Sequence, residues 1–146
     1  MNLNEISTAI STTISLRVRY GETDQMGIVY HGNYPSYLEV ARIQFFNHIG
    51  ISYKSLEENG IMLPVTDLNI KYLKPAHFDE ELSIRVSLRE IPKGPRIIFD
   101  YEIYNKNGNL LTTASTNLAF INKENRRPIR CPESIIERLN SLKNQS

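Results

Sequence analysis

The sequence predicts an α+β domain in which a curved antiparallel β-sheet wraps around one long, buried α-helix. Residues 34–49 are apolar around most of the helix circumference, which is typical of a helix that protein surrounds on all sides. After residue 60, four segments with alternating apolar and polar residues are joined by short connections, which favour antiparallel neighbours. A single sheet and an apolar helix bury each other's surfaces only if the sheet curls around the helix.

Length and charge limit the class of protein. The chain has 146 residues, which is one domain, and 17 basic and 16 acidic side chains give a formal net charge of +1. Such a balance excludes a protein that binds nucleic acid or an anionic membrane mainly through bulk charge. Cys131 is the one cysteine, so no internal disulfide forms. Without a basic, apolar leader or a long apolar run, we expect a cytoplasmic protein with no membrane insertion.

The first elements are a strand, an irregular loop and the long helix. Alternating apolar residues at 14, 16, 18 and 20 predict a half-buried strand, and residues 21–27 contain two glycines without periodicity. Asn33 is the expected N-cap of a helix that runs from about Tyr34 to Ile49 and stops at Gly50.

The remaining elements complete the sheet. A short helix is expected over residues 52–59, followed by strands near 68–72, 82–88, 97–104 and 110–121. Asn107 and Gly108 are typical of a hairpin turn. Pro132 opens a C-terminal helix that carries Ile135, Ile136 and Leu139. We expect a flexible segment over 1–13, one domain over 14–140 and a C-terminal tail over 141–146.

The loop before the long helix is where the sequence places chemistry. Glu22 and Asp24 precede a helix N-terminus, where free backbone N–H groups and the positive end of the helix dipole favour negative charge. A carboxylate near the amides of His31 and Gly32 is suited to acyl transfer, with the amides holding a developing oxyanion. The alternative is that either acid merely caps a turn.

Residues 20–34, YGETDQMGIVYHGNY, resemble the signature of hotdog-fold acyl-CoA thioesterases of the 4-hydroxybenzoyl-CoA thioesterase family. Within that family they are similar to the branch associated with the Tol–Pal system. Residues 71–76, KYLKPA, followed by Asp79, are similar to the family's strand-to-turn segment, and the resemblance extends from Leu16 to about Leu139. It implies a hotdog fold, a homodimer or homotetramer, and an active site at the dimer interface.

The resemblance also implies the roles of individual residues. Asp24 matches the catalytic carboxylate, acting as nucleophile or as general base, and the backbone N–H of His31 matches the group that polarises the thioester carbonyl. Whether the His31 ring acts directly is left open. Tyr20, Gly27 and Tyr30 match positions that shape the loop and pocket. Thioester hydrolysis by this route requires no metal and no cofactor.

Coenzyme A carries phosphates, which basic side chains or free amides bind. Lys93, Gly94 and Arg96 lie in a connection between two strands, and the resemblance places that connection near the nucleotide phosphates of relatives. Lys71 and Lys74 are a second candidate pair. The alternative for the first group is an ordinary solvated turn, and a basic cluster at Arg126, Arg127 and Arg130 is expected to be a solvated loop.

The other side chains that could take part in chemistry are Glu39, His48, His77 and Cys131. Glu39 on the long helix is a reserve candidate for the catalytic carboxylate, although an ion pair with Arg42 three residues later is the expected arrangement. His48, His77 and Cys131 do not have the spacing of metal ligands, so no metal site is expected, and Cys131 is interpreted as structural.

Three functions are weighed against an acyl-CoA thioesterase. The first is cleavage of acyl groups from acyl carrier protein, and the second is a non-catalytic module that binds or senses acyl-CoA. The third is a dehydratase or hydratase, which needs a catalytic histidine, and only His31 is placed for that. The resemblance favours aliphatic acyl chains. Nucleic acid is not expected as a partner.

Overall fold

The structure, a computed structural model, describes residues 10–144 of the chain. Two single 3₁₀ turns, Tyr20–Glu22 and His31–Asn33, accompany the regular elements. In chain order these are β1 (Ile10–Arg17), α1 (Tyr34–His48), α2 (Tyr53–Glu58), β2 (Ile61–Met62), β3 (Val65–Tyr72), β4 (Glu81–Leu88), β5 (Arg96–Tyr104), β6 (Leu110–Ala119), β7 (Ile121–Asn122) and α3 (Glu133–Asn144).

Five of the strands form one antiparallel sheet in the order β1-β4-β5-β6-β3. β2 and β7 pair as a separate two-stranded ribbon. Along β4 and β5 every second residue is buried, as the alternation in the sequence predicts, because one face of the sheet packs on the core. The expected α+β architecture, a sheet around a long central helix, is confirmed.

α1 packs along the inner face of the sheet through its aromatic side chains. The Phe45 ring lies edge-on to Phe99 of β5, with ring centroids 5.1 Å apart, and Phe46 contacts the same ring at 5.9 Å. All three rings are fully buried. The helix is not enclosed on every side as its apolar circumference predicts, because Val40 is 43% exposed.

The ends of several elements differ from the sequence-based expectation. Asn33 does not cap α1, because its side-chain amide donates to the Glu22 carbonyl at 2.8 Å instead. Residues 10–13, expected in a flexible segment, pair with β4 as part of β1, and α3 extends to residue 144. The remainder of the expected flexible segment, residues 1–9, and residues 145–146 of the expected tail lie outside the described residues.

β3 is the strand whose burial differs most from expectation. Alternation at Leu68, Ile70 and Tyr72 suggests a half-buried strand, yet Leu68 is 42% and Tyr72 is 50% exposed. The reason is position, since β3 lies at the edge of the sheet and, among residues 10–144, pairs only with β6. Within residues 10–144, no helix has the length and apolar character that crossing a membrane requires.

Candidate active site

A tight hairpin carries Asp24. Thr23 and Val29 form an antiparallel bridge, and the Asp24 N–H donates to the Ile28 carbonyl at 2.9 Å. The Gly27 N–H closes the turn by donating to the Asp24 carbonyl at 3.0 Å. Gly27 has a φ of +78°, a conformation in which a Cβ would be strained, so the turn favours glycine there.

The Asp24 carboxylate is half-buried and one of its oxygens is engaged. Oδ1 accepts a hydrogen bond from the Met26 N–H at 2.8 Å, which fixes the side chain over its own turn. Oδ2 accepts no hydrogen bond from any residue between 10 and 144. One carboxylate oxygen is therefore held in place while the other is free to react.

The segment between β3 and β4 supports this hairpin. The Val29 N–H donates to the Ala76 carbonyl at 2.9 Å, and the Phe78 N–H donates to the Gly27 carbonyl at 3.1 Å. The Tyr20 ring meets the Phe78 ring edge-on, with centroids 5.5 Å apart. The expected positioning residues Tyr20 and Gly27 thus both contact this supporting segment.

The chain reaches α1 through the 3₁₀ turn that starts at His31. The first backbone N–H to donate within this turn is that of Asn33, to the Tyr30 carbonyl at 2.9 Å. The N–H groups of His31 and Gly32 are therefore the ones that a helix start leaves without an intrahelical acceptor. Together with the helix dipole, they form a site that favours an oxyanion.

Aromatic rings enclose the same helix start. The Tyr30 and His31 rings lie 4.4 Å apart between centroids, and both side chains are solvent-exposed. The Tyr72 hydroxyl of β3 donates to the His31 carbonyl at 3.1 Å. A Cβ on Gly32 would lie 2.6 Å from the Tyr30 ring, so the ring occupies the space that any side chain at position 32 would need.

Glu22 is the residue whose role the sequence does not reveal. Its backbone carbonyl accepts the Tyr30 N–H at 2.9 Å and the Asn33 side-chain amide at 2.8 Å. Its carboxylate, with a side chain 17% exposed, accepts the Tyr37 hydroxyl at 2.9 Å and the backbone and guanidinium of Arg19. Glu22 therefore ties the hairpin to the first turns of α1.

This network shifts two pKa values in opposite directions. Burial alone raises the pKa of Glu22, but the hydrogen bonds from Arg19 and Tyr37 outweigh it and hold the pKa below its ordinary value. Burial raises the pKa of Tyr37, and the Glu22 carboxylate beside the hydroxyl raises it further. Glu22 is therefore a structural anion of this loop, which leaves Asp24 as the carboxylate with a free oxygen.

The predicted phosphate-binding residues lie far from Asp24 within one chain. β4 runs from Glu81, opposite Arg17, to Leu88, opposite Ile10, so its two ends are about 24 Å apart. The hairpin of Asp24 follows the Arg17 end of β1, whereas Lys93, Gly94 and Arg96 follow the other end of β4. One chain does not bring these two groups together, and a shared site would need a second chain.

Lys71 and Lys74, the second pair of candidates for binding the phosphates, lie closer to the hairpin along the chain. Lys71 belongs to the last residues of β3, and Lys74 follows that strand beside Tyr72, which contacts the His31 carbonyl. Both lysines are exposed, and neither forms an ion pair with residues 10–144. Arg126, Arg127 and Arg130 are exposed, as expected of a solvated loop.

The expected ion pair between Glu39 and Arg42 is not formed. Arg42 is only 6% exposed and turns inward, where its Nη1 donates to the Tyr101 hydroxyl at 3.2 Å. Glu39 is exposed on α1 and is not part of the hairpin. Cys131 is buried, and burial raises its pKa to about 12, which fits a structural residue. Among residues 10–144, no three potential ligands cluster as a metal site.

A wide concavity lies elsewhere, on the outer face of the sheet. It has a volume of about 830 Å³, and its lining includes the ion pairs Arg85–Glu102 and Arg89–Asp100. These paired charges have little to offer a ligand, although Lys71, which forms no ion pair with residues 10–144, also lines the concavity. Neither Asp24 nor the start of α1 lines it. The hairpin and the start of α1 therefore remain the candidate active site.

The sequence profile of the Thioesterase-like superfamily matches residues 18–139, a range that includes the hairpin, α1 and the whole sheet after β1. The chain belongs to this superfamily. It is 38% identical over 115 residues to the putative acyl-CoA thioesterase YneP of Bacillus subtilis. The aligned residues make up 79% of this chain and 83% of YneP. It is 28% identical over 121 residues to the acyl-CoA thioester hydrolase YbgC of Escherichia coli, and the aligned residues make up 83% of this chain and 90% of YbgC.

The solved structures include a close match to the whole fold. The DHNA-CoA thioesterase of Staphylococcus aureus superposes with a TM-score of 0.84 at 35% identity, covering 92% of this chain and 94% of that one. The hotdog fold and the class of enzyme, a thioester hydrolase, are thereby confirmed. Placement in the Tol–Pal-associated branch stays a prediction, as do the roles of the individual site residues.

Proposed function

We propose that the protein hydrolyses acyl-CoA thioesters to a free carboxylic acid and coenzyme A, with Asp24 as the catalytic carboxylate. The observation that carries this proposal is the arrangement at the start of α1. A carboxylate with one free oxygen sits on a tight turn, and that turn leads into a helix start with free N–H groups at His31 and Gly32. The names of the relatives supply the substrate class, acyl-CoA.

The chemistry follows from these groups. The thioester carbonyl oxygen is placed at the amides of His31 and Gly32, which stabilise the negative charge that develops there. In one route an Asp24 oxygen attacks the carbonyl carbon, the C–S bond breaks, and the resulting mixed anhydride is hydrolysed by water. In the other, Asp24 takes a proton from the water that attacks, the C–S bond breaks, and the proton passes from Asp24 to the departing thiolate. Both routes release the acid and the CoA thiol and leave Asp24 as it began.

The adenosine and phosphate end of coenzyme A needs cations. We infer that Lys74 serves this purpose within the same chain, since it follows the end of β3 that contacts the His31 carbonyl. Lys71 faces the outer side of the sheet, opposite to Tyr72, and does not reach this site within one chain. Lys93, Gly94 and Arg96 serve the same purpose only if a second copy brings their loop to the hairpin. The ring of His31 is exposed next to Tyr30, so it lines the entrance in this proposal.

The test is release of free thiol from a panel of acyl-CoAs by the wild type and Asp24→Asn. Asparagine keeps an Oδ1 that accepts the Met26 N–H, so the turn is retained while the anionic oxygen is lost. We expect a fall in kcat of about 100-fold or more with unchanged circular dichroism. Asp79→Asn is the matched control, because Asp79 lies at the same end of the sheet in a left-handed conformation that asparagine also adopts.

Each outcome separates the alternatives. Equal turnover by wild type and Asp24→Asn would refute the assignment of Asp24 and direct attention to Glu39. Binding of acyl-CoA without turnover would favour the binding or sensing module. Turnover of acyl groups on acyl carrier protein but not on CoA would favour that substrate instead.

A further inference from the structure

The peptide between His31 and Gly32 is held from outside the turn to which it belongs. Its carbonyl, that of His31, accepts the N–H of Tyr34 within the 3₁₀ turn. The same carbonyl accepts the hydroxyl of Tyr72 at 3.1 Å, from a strand residue 41 positions further along the chain. The Tyr72 ring packs edge-on against the buried Tyr34 ring, with centroids 5.1 Å apart. Tyr72 therefore connects the edge strand β3 to this one peptide.

The same peptide carries one of the two N–H groups that face the proposed oxyanion. In a trans peptide the C=O and the N–H lie in one plane and point in opposite directions. A donor that fixes the His31 carbonyl therefore also fixes the direction of the Gly32 N–H on the other side of the plane. A hydrogen bond accepted by the C=O polarises the peptide as well, which makes its N–H a stronger donor.

Glycine at position 32 increases the need for such a restraint. Glycine adopts more backbone conformations than other residues, so its own backbone does little to hold the peptide that precedes it. A larger residue is not accommodated there, because a Cβ would lie 2.6 Å from the Tyr30 ring. The restraint has to come from another element, and the Tyr72 hydroxyl is placed to supply it.

We propose that Tyr72 is a positioning residue for the oxyanion site, acting through the His31–Gly32 peptide on the Gly32 N–H. This inference rests on the proposed function, since it concerns the same site. The contact lies within one chain, so it does not depend on whether a second copy pairs with the edge of β3. Tyr72 takes no part in bond making, because it aims and strengthens a donor that itself contacts the substrate oxygen.

The first measurement compares hydrolysis of acyl-CoAs by the wild type and Tyr72→Phe, which retains the ring and its packing on Tyr34 and loses only the hydroxyl. Removal of a whole oxyanion donor lowers kcat by about 10²–10³-fold, and Tyr72 orients a donor without being one, so we expect a fall of about 10-fold. KM should change by less than about 2-fold, because the effect is on charge that develops after binding. Tyr104→Phe is the matched control, since it removes a hydroxyl from a half-buried strand tyrosine on the outer face and should leave both constants unchanged.

The second measurement separates positioning from a merely structural effect. A ketone analogue, with a CH₂ group between the ¹³C-labelled carbonyl and the sulfur of CoA, binds without being hydrolysed. Its C=O stretching frequency in the infrared falls when the oxygen accepts hydrogen bonds from the protein. We expect a smaller fall on binding to Tyr72→Phe than on binding to the wild type or to Tyr104→Phe.

Each result supports or overturns the role of Tyr72. An unchanged kcat in Tyr72→Phe, or a lower kcat with an unchanged carbonyl frequency, would overturn it and leave the thioesterase proposal intact. If the wild type hydrolyses no acyl-CoA, the analogue alone decides. A frequency that falls on binding to the wild type, and falls less in Tyr72→Phe, would then support the role of Tyr72 although hydrolysis had failed. Absence of that fall in the wild type, or of binding, would overturn both.

Discussion

Replacement of Tyr37 by phenylalanine tests whether Glu22 holds the catalytic hairpin against α1. The Tyr37 ring is 3% exposed and stays packed in the variant, so the change removes one hydroxyl and little else. That hydroxyl donates to Glu22 Oε1 at 2.9 Å. A hydrogen bond to a charged group contributes about 1.5–3 kcal/mol to the free energy of unfolding. Since each kcal/mol shifts the Tm of a chain of about this length by roughly 2–4 °C, we expect Tm to fall by about 3–12 °C.

The sign of the pH dependence follows from the lowered pKa of Glu22. A carboxyl group whose pKa is lower in the folded state stabilises the protein above its unfolded pKa, and this contribution is lost as pH falls through the folded pKa. The difference in stability between wild type and Tyr37→Phe should therefore be complete at neutral pH. It should shrink once the pH falls below about 4, the ordinary range of a glutamate. Thermal unfolding followed by circular dichroism between about pH 3 and pH 7 measures this difference.

Tyr53→Phe is the matched control. Tyr53 is also a tyrosine on a helix, half-buried where Tyr37 is buried, but its hydroxyl reaches a neutral acceptor, the Leu63 carbonyl, at 3.5 Å. A contact at this distance is weak, so the variant should lose less than about 1 kcal/mol, with no dependence on acid pH. Equal effects of the two substitutions at every pH, or a loss below about 0.5 kcal/mol in Tyr37→Phe, would refute the role assigned to Glu22.

Two further predictions concern the helix start and the sheet edge. In Gly32→Ala, the new Cβ meets the Tyr30 ring at 2.6 Å and displaces it. We therefore expect kcat/KM to fall with little change in Tm. The double variant Gly32→Ala and Tyr30→Ala should regain part of the activity, because the ring that clashes is gone. β3 exposes Leu68 and Tyr72 on a strand with one unpaired edge within residues 10–144, so light scattering should give the mass of two or four copies. A monomer at micromolar concentration would argue against a site shared between chains.

The residues of this site that are close together in the sequence can be predicted from their spacing. Asp24, the free amides at His31 and Gly32, and the long helix follow one another within 25 residues, so their order suffices to predict them. The partners of Glu22 are harder to predict, because Tyr37 is 15 residues away on a largely apolar helix, where a tyrosine is most simply interpreted as core. Only Arg19, three residues before Glu22, is a local signal of this network.

The topology of the sheet determines side-chain exposure and distances that local sequence patterns do not predict. Alternation at Leu68 and Tyr72 indicates a strand but does not distinguish an edge from a centre, so their exposure depends on the order β1-β4-β5-β6-β3. The antiparallel pairing of β1 with β4 separates Lys93 and Arg96 from Asp24, because the two groups follow opposite ends of β4. The inward turn of Arg42 is likewise a tertiary effect, because Tyr101 on β5 offers a hydroxyl that the helix surface does not.

The uncapped start of α1 connects stability with the proposed chemistry. A side chain at the N-cap contributes about 0.5–2 kcal/mol by satisfying free N–H groups, and Asn33 stands at the right place to do so. Its amide is instead directed to the Glu22 carbonyl, and no side chain caps the preceding 3₁₀ turn. The N–H groups of His31 and Gly32 lie in that uncapped turn and stay available to a substrate oxygen. A cap at Asn33 would act on an N–H group two or three residues later and would not reach them. The hydrogen bond from Asn33 to Glu22 therefore forgoes the cap of α1 and fixes the hairpin of Asp24 to the helix instead.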